Sequence, residues 1–139
     1  MTANTNPMMT ATINNGHGRI AAANTARDGS GTLVTIFTAG VNGSVIWEIK
    51  AISAQAVAAT SSPMAVRFFE TDNNGANPRL LEEVALAAAT PSTTAVGAKG
   101  SINFPGGHGL MSGQILKACQ SVYLGVQDQM DIEVSGGDF

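Results

Sequence analysis

Ser44-Val45-Ile46-Trp47-Glu48-Ile49-Lys50-Ala51-Ile52 carries the clearest strand pattern in the chain. Val45, Trp47, Ile49 and Ala51 alternate with Ile46, Glu48, Lys50 and Ile52. A period of two with one partly polar face is the pattern of a half-buried antiparallel strand. On that pattern Trp47 belongs to the core, and Trp47→Ala should cost about 3–5 kcal/mol. Just upstream, Ala39-Gly40-Val41-Asn42-Gly43 carries Asn-Gly, the strongest short turn signal. Residues 32–38 before it are β-branched and aromatic and bounded by glycine, and they read as the first strand.

Moving outward, residues 53–62 are rich in Ala, Ser and Thr and read as a loop ending at Pro63. Residues 64–71 alternate again, with Met64, Val66 and Phe68 on one face and Ala65, Arg67 and Phe69 on the other. Asp72-Asn73-Asn74-Gly75-Ala76-Asn77-Pro78 is dense turn chemistry. Residues 79–89 favour helix by intrinsic propensity. Their place after a tight connection favours a hairpin strand, and they read as strand. Residues 90–94 form a turn, 95–104 a strand weakened by Gly97 and Gly100, and Pro105-Gly106-Gly107-His108-Gly109 a loop. Residues 110–120 and 121–127 supply short strands, and 130–134 alternate once more. Short strands with turn signals every 8–12 residues argue for an all-β fold, a β-sandwich or a barrel, and the expectation is an antiparallel β-sandwich of jelly-roll-like form over residues 32–139.

Residues 1–31 are different. They hold Asn4, Asn6, Asn14, Asn15 and Asn24 and several Thr and Gly, and their only large apolar residues are Met1, Met8, Met9, Ile13 and Ile20. Such a segment buries too little to order itself, which predicts an extended or flexible arm. Deleting residues 1–23 should then leave the domain folded. Arg27-Asp28-Gly29-Ser30-Gly31 reads as a turn into the first strand.

The chain of 139 residues has room for one domain. Only 12% of it is charged, about half the usual share. A net charge of −3 offers no electrostatic footprint for nucleic acid, and seven basic residues make no polybasic membrane patch. No apolar run approaches a membrane helix, and the uncharged start lacks the basic-then-apolar order of a secretory signal, so use without export is expected.

Catalytic patterns are thin. The one cysteine, Cys119, reads as a small buried hydrophobe, with Lys117 its only basic neighbour in sequence. His17 and His108 each sit in Gly-His-Gly and read as solvated loop histidines. Gly16-His17-Gly18-Arg19-Ile20-Ala21 matches the dinucleotide-binding spacing only formally, because no apolar strand precedes it. Glu82 and Glu83 point to opposite faces of a strand and make no catalytic pair. Asp131 and Glu133 share a face and with Asp128 could hold a weak Ca²⁺, but solvated edge charge is the simpler reading. No cofactor or metal is expected. Phe139, a terminal aromatic after Gly136-Gly137-Asp138, can reach its own sheet or a neighbouring subunit.

The stretch Asn24-Thr25-Ala26-Arg27-Asp28-Gly29-Ser30-Gly31-Thr32-Leu33-Val34-Thr35-Ile36-Phe37-Thr38-Ala39-Gly40-Val41-Asn42-Gly43-Ser44 resembles the opening of small tailed-bacteriophage virion proteins. Val66-Arg67-Phe68-Phe69, Arg79-Leu80-Leu81-Glu82-Glu83-Val84 with Thr90-Pro91-Ser92, and the terminal Gly136-Gly137-Asp138-Phe139 fit the same pattern. The resemblance covers about residues 24–139; the glycine-rich region 97–113 and the arm at 1–23 depart from it. It implies a capsid-decorating (cement) protein on the virion head, made in the bacterial cytoplasm. Its partners would be the major capsid protein and its own copies, a trimer being favoured. The contact residues expected for such a role are Asn4, Asn6, Met8, Met9, Ile13 and Arg19 in the arm, and Phe139. A receptor- or glycan-binding module of a tail or fibre is the alternative, and it predicts an exposed aromatic beside Asn or Asp.

Overall fold

The computed structural model describes residue 10 and residues 12–139, and these form two antiparallel sheets packed face to face. Among the described residues nine strands run in chain order: β1 (Thr12–Ile13), β2 (Gly16–Ile20), β3 (Val34–Thr38), β4 (Ser44–Ser53), β5 (Met64–Asn73), β6 (Arg79–Leu86), β7 (Lys99–Leu110), β8 (Gln114–Gln120) and β9 (Met130–Asp138). In the first sheet β1 and β2 both pair with β9, which pairs with β4, which pairs with β7. The second sheet runs β3-β8-β5-β6. Between them lie Ile20, Ile36, Phe37, Ile46, Ile49, Val66, Phe68, Leu116, Met130, Ile132 and Val134, all buried. At about 1.5–3 kcal/mol for each large side chain taken from water, this layer is the main stabilising contribution.

Residues 79–86 are a strand, against their helical propensity. Asn74 and Gly75 both adopt left-handed backbone, which matches a tight hairpin and turns the chain back onto β5. Arg79 and Asn77 then bind the Asp72 carboxylate at 2.7 and 2.8 Å, closing the turn.

Trp47 is not in the core. The pairing of β4 with both neighbours shifts between Ile46 and Glu48, so Trp47 is the extra residue of a β-bulge. The bulge reverses the inward parity: Ile46 faces the core before it, Ile49 and Ala51 after it. Trp47 and Glu48 are both left on the outer face, with Trp47 42% exposed. Opposite the bulge, Phe104-Pro105-Gly106-Gly107 forms an excursion within β7, so the expected loop at 105–109 is part of a strand. Pro105 lacks a backbone N–H and is tolerated because β7 is an edge strand. Gly107, at φ 86°, lies so close to Val45 that a Cβ there would collide with it.

The arm expected over residues 1–31 is, over residues 12–20, a pair of strands in the first sheet. These strands need no apolar surface of their own because β9 supplies hydrogen-bond partners from Thr12↔Asp138 to Ile20↔Met130. Ile20 is buried in the core. In the Gly-His-Gly of β2 both glycines face the second sheet and His17 and Arg19 face out. A Cβ on Gly16 would collide with the Ile36 carbonyl, and one on Gly18 would stand 3.0 Å from the Thr35 carbonyl oxygen. The two sheets therefore meet backbone to backbone at this edge. His17 and His108 are strand residues, not loop residues.

The strand expected over residues 121–127 is absent; this segment is a loop with one 3₁₀ turn at Val126–Asp128. The Gln120 amide holds it in that shape by donating to the carbonyls of Val122 and Asp128 at 2.8 and 2.6 Å. Residues 135–138, in turn, extend β9 beyond the expected 130–134.

Candidate functional site

Three loops converge at the end of the sandwich where β4, β6 and β8 finish. They span residues 54–63, 87–98 and 121–129. Ser61 N and Ala58 N donate to the carbonyls of Ala89 and Pro91 at 3.0 and 2.9 Å, fastening the first loop to the second. Thr60 and Thr90 share a hydroxyl hydrogen bond of 2.7 Å, and the Gln55 amide donates to the carbonyls of Ala59 and Ala89. The third loop joins through Asp128. Its buried carboxylate accepts from Ser62 N at 2.7 Å, Ser62 Oγ at 3.0 Å and Leu124 N at 2.8 Å. Burial works to raise the Asp128 pKa; the donors from Ser62 and Leu124 outweigh it and hold the group below its ordinary value.

Asp128 is the only charged side chain in these three loops, and it is buried. The surface they present is therefore uncharged. Its tips are apolar: Val57, Val96, Leu124 and Val126 are 68–77% exposed. The loop hydroxyls and amides are largely satisfied within the loops, as in Ser92 Oγ accepting from Thr94 N and Ala95 N. Covering such a surface with another protein desolvates no charge and orphans few donors, the two main penalties of forming an interface.

The opposite end differs. A groove of about 550 Å³ lies among Val41, Leu110, Met111 and Phe139, with Val41 and Met111 exposed. Phe139 reaches its own sheet: its N–H donates to the Gly43 carbonyl at 3.2 Å. Beside it Asp138 accepts from Ser44 Oγ and Asn14 Nδ2, which lower its pKa against the opposing effect of burial, while Gly40 N donates to Ser44 Oγ.

Of the arm residues expected to make contacts, Asn4, Asn6, Met8 and Met9 lie outside the described residues. Ile13 is 86% exposed on β1, opposite Gly137. Arg19 lies towards the other end of β9, held by Asp131 in a two-point ion pair at 2.5 and 2.8 Å. Ile13, Arg19 and Phe139 do not form one patch. Asp128, Asp131 and Glu133 do not form one either, since Asp128 turns to Ser62 and Asp131 to Arg19. Among the described residues no three of His, Cys, Asp and Glu are gathered to hold a metal ion. His108 Nε2 lies 3.4 Å from Glu70 Oε1, linking the two sheets at the β5–β7 side. Cys119 is buried, which pushes its thiol pKa up, with Arg67 opposing.

The first uncharged loop stands out in the sequence, and the other two do not. Their signal is present all the same: no charged residue falls between Glu83 and Lys99, or between Lys117 and Asp128. Only the topology brings these runs together. Compared with protein-family models and with curated proteins, the sequence matches none.

Proposed function

We propose that this chain is a structural virion protein that decorates an assembled bacteriophage head, binding the major capsid protein and its own copies, as a trimer. The role is non-catalytic, on the particle surface, after synthesis in the host cytoplasm. The observation that carries this reading is the uncharged, apolar-tipped loop end, a surface suited to contact with another uncharged protein surface. The resemblance over residues 24–139 supports it. So does the strand order. β2 pairs with β9, β3 with β8, β4 with β7 and β5 with β6, the nesting of a hairpin ribbon rolled into two sheets. Such nesting is akin to that of a jelly roll, a fold used by capsid and lectin domains. Support from the fold is by analogy; the loop surface is the feature particular to this chain.

The test is binding to particles stripped of the protein. The wild type should saturate them in many copies, and binding should be little affected by salt. Val57→Asp, Val96→Asp and Leu124→Asp should abolish binding with the melting temperature unchanged. Full binding by all three variants, or occupancy of only a few copies, overturns the proposal.

One observation favours the glycan-binding alternative. Trp47 is exposed on the outer face of the first sheet, beside Gly107, where an indole can stack on a sugar ring. That reading requires the isolated protein to bind host cells and Trp47→Ala to lose the binding.

A further inference from the structure

Residues 21–33 contain no buried residue, yet they cross the outer face of the second sheet. The path is marked by contacts. Asn24 N donates to the Gln120 carbonyl at 2.8 Å at the end of β8. Thr25 O receives Arg67 Nη1 at 3.4 Å on β5. Arg27 Nη2 meets Glu83 Oε1 at 2.8 Å on β6. Gly29, at φ 87°, sits against Pro78, where a Cβ would stand 2.7 Å from the carbonyl oxygen. The chain then returns to Val34, opposite Ala118 on β8.

The loop is closed on itself by one side chain. Asn24 Nδ2 donates to the carbonyls of Ser30 and Thr32, both at 2.9 Å, and Asn24 Oδ1 accepts from Ala26 N at 3.0 Å. Asp28 braces the far side by accepting from Ser30 N and Oγ. The loop is thus held together better than it is held down. Its attachments to the sheet are the Asn24–Gln120 backbone hydrogen bond beside the Ala23–Gln120 bridge, one exposed ion pair, one long hydrogen bond from Arg67 and the packing of Gly29 on Pro78. Compact loops with adjacent ends and few buried contacts open as units at a small fraction of the global unfolding free energy.

The face beneath is not a normal outer face. Arg67, Phe69 and Cys119 point away from the core and are nonetheless buried. Arg67 pairs across the strands with Cys119, and Phe69 is the next residue on that side of β5. We infer that residues 24–32 are a detachable cover that opens without unfolding the sandwich and exposes the Arg67–Phe69–Cys119 face. This rests on the loop contacts alone and stands or falls separately from the proposed function.

Cys119 is the sole thiol of the chain and so a reporter for opening. The experiment follows its reaction with a disulfide reagent, 5,5′-dithiobis(2-nitrobenzoate), in the full-length protein, against urea. Local opening predicts a labelling rate at low urea that far exceeds the rate set by global unfolding and depends only weakly on urea. Asn24→Ala should speed labelling by about tenfold, as loss of loop-closing hydrogen bonds, with the unfolding midpoint little changed. Amide exchange gives a second reading that needs no variant: the Asn24 N–H should exchange well before the N–H groups of β5 and β8. A labelling rate that tracks global unfolding at every urea concentration, or equal protection of Asn24 and the strand amides, overturns the inference.

Discussion

Gly16 and Ile36 meet backbone to backbone, so that a methyl group on Gly16 would occupy the space of the Ile36 carbonyl oxygen. This contact sets how closely β2 approaches β3 and so closes one side of the sandwich. Gly16→Ala should cost about 1–3 kcal/mol or more, because backbone must move to admit the methyl. Gly109→Ala is the control, since its Cβ would meet nothing within 4 Å. Urea midpoints of the two variants check this; equal midpoints would show that the sheets part freely here.

Trp47→Ala should cost less than about 2 kcal/mol, since much of the ring stays in solvent, whereas Phe68→Ala should cost about 3–5 kcal/mol. Fluorescence supplies an independent check: Trp47 is the only tryptophan, and its native emission should be that of a partly hydrated indole.

Deleting residues 1–23 should lower the melting temperature sharply, because it removes Ile20 from the core and leaves the β9 edge unpaired. Deleting residues 1–9 alone tests the contribution of the segment before β1. A folded, stable 24–139 fragment would show that β2 is dispensable.

Asp128→Ala should cost about 3 kcal/mol, by leaving the N–H groups of Ser62 and Leu124 without an acceptor. The pH dependence involves the same group. Asp128, Asp131 and Asp138 all have lowered pKa values in the folded state. Their stabilising contribution is complete above the unfolded value of about 3.9 and is lost as pH falls through the lower folded values. Thermal melts should therefore be flat near neutrality and fall steeply in acid. Asp128→Asn should flatten part of that fall; an unchanged acid profile would assign it to other groups.

The strands are legible where local pattern and turn chemistry agree. Asn74-Gly75 outweighs the helical propensity of residues 79–86 because a hairpin turn fixes the direction of the next segment. Trp47 misleads because its bulge is defined by pairing with β9 and β7, both distant in sequence. A period of two in one strand carries no sign of which of its residues its neighbours leave unpaired. Residues 12–20 mislead for a related reason: their order comes from β9, at the far end of the chain. The glycines of Gly16-His17-Gly18 suggest flexibility, yet they mark a close approach. The candidate surface is legible only in part, since uncharged runs are visible in sequence but their convergence is a property of the topology.

The position of β9 has a consequence for synthesis. It lies between β2 and β4, so a chain emerging from the ribosome in order makes both neighbours long before the strand that joins them. The second sheet is complete once residue 120 is out. The first cannot close until residue 138 has emerged. Pairings this distant form slowly, because loop closure must precede any gain from them. The second sheet is thus the template, and β2 and β4 wait with unpaired edges until the last nine-residue strand locks the molecule.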